Sequence, residues 1–477
     1  MVSLKKQALY GLIWSGVQKF GALIVSFIAN LVLVRILSPE DFGNVGILLV
    51  FTAVCQACID GGFGAALIQK KTVSNTDYST VFYWNLIVAV LLVVVIYFTA
   101  PLVASYYNSD LLCDILRIQS CALFINAFSL VQTAKLTKEL NFKILATRTI
   151  VAAVVAAVVA IILAKAGWGV WSLVAKEIVN ALVGAILLWS FCKWYPSFTF
   201  SIASFKKMFG FGSMIFVSSI VDTIYKNIQS LIIGRAFSIR ELGFYTQAKK
   251  MEEIPVQGGT TVLTQVLFPV YSSISDQHDY MKSVVRKNVI LVTFFSFPIM
   301  MLLILVAKPL LTILFTDKWS ESIPLFQILC IEGMFFPLNC TNTEIFKAIG
   351  RGDIYFILQT AKRVVSLVII FYSVRFGLYA MMWTVAATGI MFYLVNIIFT
   401  HRVFKYKVKE QLVDILPNLF ISSIALGVSG AILNACELHN NYINLIFGSS
   451  MFISVYILLS IVIKSKGYEL SKNIMKF

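Results

Sequence analysis

Leu86-Ile-Val-Ala-Val-Leu-Leu-Val-Val-Val-Ile-Tyr-Phe-Thr-Ala100 decides the fold. The run carries no charge and is apolar on every side, whereas a surface helix of a soluble domain shows a single apolar stripe. It does not alternate, so it is not one of the roughly 10-residue strands of a membrane barrel. The same texture recurs at Ile150–Ala164 and Val289–Val306. A helix needs about 20 mainly apolar residues to cross a hydrocarbon layer roughly 30 Å thick. Inside that layer only helices and closed barrels satisfy their own backbone. Runs of this kind are expected to give about 14 spans. The eighth, near 251–270, is interrupted by Pro255, and the tenth, near 322–344, carries Glu332 and Pro337. The reading is an all-α integral membrane protein.

Composition agrees. Of 477 residues, 59% are hydrophobic and 13% charged, against roughly 25% charged in soluble domains. Most of the 39 Lys and Arg fall on the side that holds both termini when the spans are counted as even; Lys206, Lys207, Lys347, Arg351, Lys362 and Arg363 are among them. Basic residues stay cytoplasmic, so both termini are expected inside. The net charge of +16 then reflects this bias and attraction to anionic membrane lipids, and nucleic acid is not implied. The first apolar run is too long for a cleavable signal and is expected to stay as an anchor. Cys55 and Cys58 stand in an apolar helix with no second pair or histidine nearby, so they read as packing residues and not a metal site. His278, His401 and His439 share no spacing, and no phosphate-binding glycine loop is present. No catalytic constellation and no cofactor are expected.

The chain also repeats itself. Arg35-Ile-Leu-Ser38-Pro-Glu-Asp41-Phe-Gly43 closes the first hairpin, and Arg235-Ala-Phe-Ser238-Ile-Arg-Glu241-Leu-Gly243 stands 200 residues later. Gly169-Val-Trp-Ser-Leu173 echoes in Gly377-Leu-Tyr-Ala-Met381, and Asp77-Tyr78 in Asp279-Tyr280. Each copy of the long motif has a serine in N-cap position and an acid three residues on, the signature of a capping box. A gating role for Arg35, Asp41, Arg235 and Glu241 is the second reading. The repeat implies two six-helix lobes, 1–200 and 201–405, related by a pseudo-twofold along the membrane normal. Residues 406–477 add two more helices and a cytoplasmic tail. Phe198–Lys207 is expected to lie on the cytoplasmic surface as the link between lobes.

Charged residues within spans cost at least roughly 2.5–3.5 kcal/mol each and therefore mark cavities or partners. The candidates are Lys19, Asp60, Lys176 with Glu177, Asp222 with Lys226 one helical turn away, Glu332 and Glu344. Their plainer readings are neutralised pairs between helices, snorkelling lysines and, for Asp60, an interfacial position. Gln18, Asn30, Gln229 and Gln265 are among the uncharged polar residues that serve either as helix glue or as hydrogen-bonding lining of an aqueous cleft.

The opening Arg35–Gly43 motif followed by Asp60-Gly-Gly-Phe-Gly-Ala-Ala-Leu-Ile-Gln69 resembles the Wzx-type polysaccharide flippases, particularly their WzxC-like branch. These belong to the multidrug/oligosaccharidyl-lipid/polysaccharide exporter superfamily. Ile232-Ile-Gly-Arg235, Leu242-Gly-Phe-Tyr245, Leu267-Phe-Pro269, Lys308–Trp319 and Gln327-Ile-Leu329 continue the likeness from about residue 5 to about residue 400. The resemblance implies a secondary transporter that moves polyprenyl-pyrophosphate-linked sugar repeat units across the bacterial cytoplasmic membrane for surface polysaccharide synthesis. It further implies alternating access driven by H+ or Na+, with polysaccharide polymerase or export machinery as partners. On this reading Lys19, Lys176 and Lys226 meet the pyrophosphate, and Asp60, Asp222 or Glu332 binds the coupling ion. Members of the family often carry an acid in the seventh span shortly before the Ile-Gly pair, where this chain has Gln229 and Ser230. A small-cation or drug antiporter of the same superfamily and a membrane polysaccharide polymerase or ligase are the competing functions.

Overall fold

The computed structural model describes residues 4–436 and 440–474, with side chains at all of these except 4–9, 12, 259, 261–266 and 474. His439 and the side chain of Gln265 therefore lie outside the described residues. The described chain is helical from end to end: α1 Leu4–Ile36, α2 Pro39–Asp60, α3 Phe63–Gln69, α4 Asn75–Tyr107, α5 Leu111–Lys138, α6 Phe142–Lys165, α7 Trp171–Phe191, α8 Ile202–Ala236 and α9 Ile239–Ser273. There follow α10 His278–Leu305, α11 Ala307–Phe315, α12 Ser322–Ala348, α13 Gly352–Ser373, α14 Leu378–Phe404, α15 Val408–Ala435, α16 Asn441–Val462 and α17 Lys466–Ile474. Among the described residues, 13 helices are long and apolar enough to cross a membrane. The chain is a multi-pass, all-α membrane protein.

The difference from the expected 14 spans lies in α9. The expected eighth span is part of one 35-residue helix that runs through Pro255 and Pro269. Its first half holds the run Lys249-Lys250-Met251-Glu252-Glu253, which lowers its hydropathy below that of the other spans.

The chain divides into two compact units, residues 1–243 and 244–477. In the first, α1 packs on α6, α6 on α7, α4 on α5, and α8 on α2, α3 and α4. Small residues make the close pairs: Gly21 of α1 leaves room for Ile150 of α6, and Ala152, Ala156, Ala160 and Ala164 form the buried stripe of α6. In the second unit, α12 packs on α10 and α14, α10 on α15, and α15 on α16.

The segment after α7 differs from expectation. The irregular stretch is 192–201, and Phe205, Lys206 and Lys207 already belong to α8. Hydrogen bonds hold the stretch to the start of α4: Trp194 Nε1 donates to Asn75 Oδ1 (2.5 Å), Ser197 N to Ser79 Oγ (3.0 Å) and Ser201 N to Thr80 Oγ1 (3.0 Å). Ser201 then caps α8 by accepting from Ser204 N. Phe205 turns inward onto Trp84 and Phe63, with ring centroids 4.6 and 5.4 Å away. The helix starts early because a capping serine and an apolar anchor are both available.

Candidate functional site

The two copies of the long motif build the same local structure. Ser38 Oγ accepts from Asp41 N (3.2 Å) while Asp41 Oδ2 accepts from Ser38 N (2.9 Å), a complete capping box at the start of α2. At the start of α9, Ser238 Oγ accepts from Glu241 N (3.1 Å) and donates to Glu241 Oε2 (2.8 Å). Both arginines, Arg35 and Arg235, project from the last turn of the preceding helix and are exposed; Arg235 lies over the ring of Tyr106 at 4.6 Å.

The copies also face each other. A Cβ on Gly43 would collide with the carbonyl of Ile239, and a Cβ on Gly243 would collide with the carbonyl of Pro39. Pro39 and Ile239 hold equivalent motif positions, so each glycine receives the backbone of the other copy's first helical residue. Only glycine permits such an approach. Glu40 and Arg240 bridge the same seam at 3.4 Å, and Tyr107 Oη donates to Leu231 O beside it (3.4 Å). The Asp-Tyr echo has no such symmetry. Asp77 is buried, completes a capping box with Ser74 and pairs with Lys70 at 2.5 Å, whereas Asp279 is fully exposed in the first turn of α10.

The charged candidates fall into three environments. Lys19 on α1 and Lys226 on α8 are exposed; Lys176 on α7 is half-buried, with Nζ 3.9 Å from Glu177 Oε1. Asp222 is half-buried on α8, one turn before Lys226. Asp60 ends α2, and its carboxylate accepts from the backbone N–H groups of Gly62 and Gly64. It thereby holds the turn into α3, whose Gly61 and Gly62 have φ of 53° and 74°. A Cβ on Gly62 would meet the carbonyl of Gly212, so this turn sits backbone to backbone on α8.

Glu332 is in different company. Lys249 Nζ lies 3.9 Å from Glu332 Oε2 and 3.1 Å from Glu252 Oε2, and Glu252 is only 2% exposed. Gly333 on α12 makes room for this cluster, since a Cβ there would stand 2.7 Å from Glu252 Oε1; Gly389 on α14 does so for Glu332. Apart from Lys249, neither Glu252 Oε2 nor Glu332 Oε2 has a hydrogen-bond partner among the described residues. Lys249 and Glu252 were not among the expected site residues. Their signal was the i, i+3 pairing of a lysine with a glutamate inside a span already marked by its polarity.

Lys362 is a second surprise. The sequence groups it with the cytoplasmic-side basic residues, yet it lies mid-way along α13 and is 9% exposed. Its ammonium donates to Asn396 Oδ1 (2.5 Å), and Asn396 Nδ2 donates in turn to Asn339 Oδ1 (2.7 Å). Among the described residues no carboxylate stands within ion-pair distance of it. All eight cysteines are free thiols, and among the described residues no group of three His, Cys, Asp or Glu is placed to hold a metal ion.

Residues 32–324 match a family model described as polysaccharide biosynthesis protein. The chain belongs to that family. It is 27% identical over 440 residues to the teichuronic acid biosynthesis protein TuaB of Bacillus subtilis (strain 168), covering 90% of each chain. It is 24% identical over 359 residues to the lipopolysaccharide biosynthesis protein WzxC of Escherichia coli (strain K12), covering 74% of this chain and 73% of that one. The resemblance read from the motifs is thus borne out. Among solved structures, the lipid II flippase MurJ in an inward closed conformation matches with a TM-score of 0.76 at 16% identity, covering 95% of this chain and 98% of that one. An inward-facing multidrug resistance MATE transporter of the MOP superfamily matches with a TM-score of 0.62 at 17% identity, covering 81% of this chain and 96% of that one. At these identities the two structures establish a shared fold.

Proposed function

We propose that this chain is a flippase of the bacterial cytoplasmic membrane that carries polyprenyl-pyrophosphate-linked oligosaccharide repeat units to the outer leaflet, driven by an ion gradient. Its family and its fold make it a membrane transporter for polysaccharide biosynthesis, not an enzyme. The observation that carries the reading further is the reciprocal seat of the two motif copies. A duplicated hairpin closed by glycine-to-backbone contact can be opened without breaking a covalent or metal bond, which is what a gate in an alternating-access cycle requires. Arg35, Asp41, Arg235 and Glu241 border that seat and are the proposed gate residues.

In this scheme the lobes 1–200 and 201–405 alternate, both termini lie in the cytoplasm, and residues 406–477 are an addition to the repeat. Lys19, Lys176 and Lys226 are the proposed contacts for the pyrophosphate, each serving as a point charge. Glu332, with Lys249 and Glu252 around it, is the favoured coupling-ion candidate over Asp60, whose carboxylate holds a turn, and over Asp222. One charge moving down 100 mV supplies about 2.3 kcal/mol, which biases a two-state equilibrium by nearly two decades.

The test is transfer of a fluorescent undecaprenyl-pyrophosphate-linked sugar between leaflets of vesicles holding the purified protein. Wild type is expected to accelerate transfer, and Lys19→Ala with Lys226→Ala to remove at least 90% of the gain, about 1.4 kcal/mol in rate terms. Full activity in both variants refutes the lysine assignment. Extrusion of a cationic dye with no movement of the lipid-linked sugar would replace the flippase reading with that of a drug antiporter.

A further inference from the structure

Glu252 and Glu332 address one ammonium, that of Lys249, at 3.1 and 3.9 Å. Two carboxylates against one lysine leave the trio one negative charge in excess, and Glu252 is almost wholly withdrawn from solvent. Excess charge in such a place is costly unless a cation compensates it. The identity of that cation follows from what surrounds the two acids.

A metal cation of the hard class takes several oxygen ligands at short distance. Here the space between the two carboxylates already holds Lys249 Nζ, and a second cation within a few ångströms of it is repelled. On the α12 side the cluster meets Val256 and Met300 around Gly333, and on the α14 side Glu332 lies against Gly389. A proton asks for a single oxygen, and apart from Lys249 neither Glu252 Oε2 nor Glu332 Oε2 has a hydrogen-bond partner among the described residues. One proton on either brings the trio to neutrality.

Building on the reading of the chain as an ion-driven flippase, we propose that Lys249, Glu252 and Glu332 form a proton-exchange site and that the coupling ion is the proton and not sodium. The other titratable groups acting on the site are Tyr245 and Glu253 from α9 and Cys330 from α12. α10 and α14 reach it with Met300 and Gly389, neither of which titrates. The step is a simple exchange: a proton from one aqueous face binds a carboxylate oxygen, and the same proton leaves to the other face after the conformational change.

Two measurements on the full chain test this. In detergent, the melting midpoint of wild type is expected to shift across about pH 5 to 8, the range in which buried carboxylates titrate, by the same amount in NaCl and in KCl. Glu252→Gln and Glu332→Gln are each expected to remove at least half of the shift. The half-exposed Glu332 keeps the test open if Glu252→Gln does not fold. A midpoint raised by sodium but not by potassium, with the effect lost in Glu332→Gln, overturns the proposal, and so does a pH profile identical to wild type in both variants. In vesicles, a one-unit pH gradient is expected to move the steady-state leaflet ratio of the labelled lipid-linked sugar about tenfold per proton exchanged, and a tenfold sodium gradient to leave it unchanged. The reverse pattern sinks the proton assignment. If the melting behaviour is as expected but the labelled lipid never moves, the site stands and the flippase reading falls.

Discussion

A methyl group added at Gly43 would run into the carbonyl of Ile239, and one at Gly243 into the carbonyl of Pro39. Backbone atoms cannot rotate aside as a side chain can, so the two hairpins would have to separate. Overpacking of this kind costs on the order of 1–3 kcal/mol, concentrated in the state where the motif copies meet. Gly43→Ala and Gly243→Ala are therefore expected to cut flipping at least tenfold at near-normal expression. Gly210→Ala, where a Cβ on α8 meets nothing within 4 Å, should be neutral or slightly stabilising. Equal activity in all three would dissociate the motif from the transport cycle. The motif could be read from the residues because the two copies differ little. That their glycines face one another could not, since capping alone explains a serine and an acid at that spacing. The trio around Glu332 was half legible. Glu332 is an isolated charge in an apolar helix, whereas Lys249 and Glu252 sit in a run of four charges that reads as a solvated surface. Which of the four turns inward depends on the face that meets α12.

At the scale of helices, long apolar runs disclosed nearly every span, because hydrophobic length is a local property. What escaped was decided by tertiary partners, as in the early start of α8 and the docking of α17. That last helix is polar and short, and it is held by contacts that no pattern announces. Ser465 Oγ donates to Asn418 Oδ1 (3.2 Å), while Asn418 Nδ2 donates to Ile290 O (3.1 Å) and Thr293 Oγ1 (2.8 Å). Gly467 then lies against Phe294, where a Cβ would come within 2.6 Å of the ring. One buried asparagine on α15 thus ties α10 to the segment leading into α17. Nearby, Arg286 makes a bidentate pair with Asp414 at 2.7 and 2.9 Å. Tyr406, between α14 and α15, donates to the same carboxylate (2.6 Å); burial and that carboxylate push its hydroxyl well above the usual tyrosine range. Asn418→Leu removes the acceptor of the buried Ser465 Oγ, at about 1–3 kcal/mol, while Ile290 O and Thr293 Oγ1 keep the bond they make to each other. The expected result is a lower melting midpoint and faster proteolysis of the C-terminal tail. An unchanged midpoint would mean that water or neighbouring groups replace the amide.

Across the whole molecule, the sidedness of the chain turns on α9. Among the described residues thirteen helices meet the length and hydropathy of a span, α9 not among them, and without α9 the odd number would put the termini on opposite faces. With 35 residues α9 reaches about 52 Å, well beyond a hydrocarbon layer of roughly 30 Å, so length does not prevent it from crossing. Its charged run does not prevent it either, because Lys249, Glu252 and Glu332 meet within the protein, where one proton leaves them neutral, and so spare the lipid that cost. A crossing α9 restores an even count and agrees with the clustering of Lys and Arg on the side of the termini. Reporter fusions decide the matter. A fluorescent reporter that folds only in the cytoplasm should be active after residue 474 and when inserted at Ser275. A phosphatase active only outside the membrane should work when inserted at Ser238 or Gly167. Opposite behaviour at Ser238 and Ser275 requires α9 to cross, whereas the same reporter response at both positions would leave it on one face. In that case the trio would be an interfacial charge cluster, open to water on one side only, and no proton could pass through it from one face to the other.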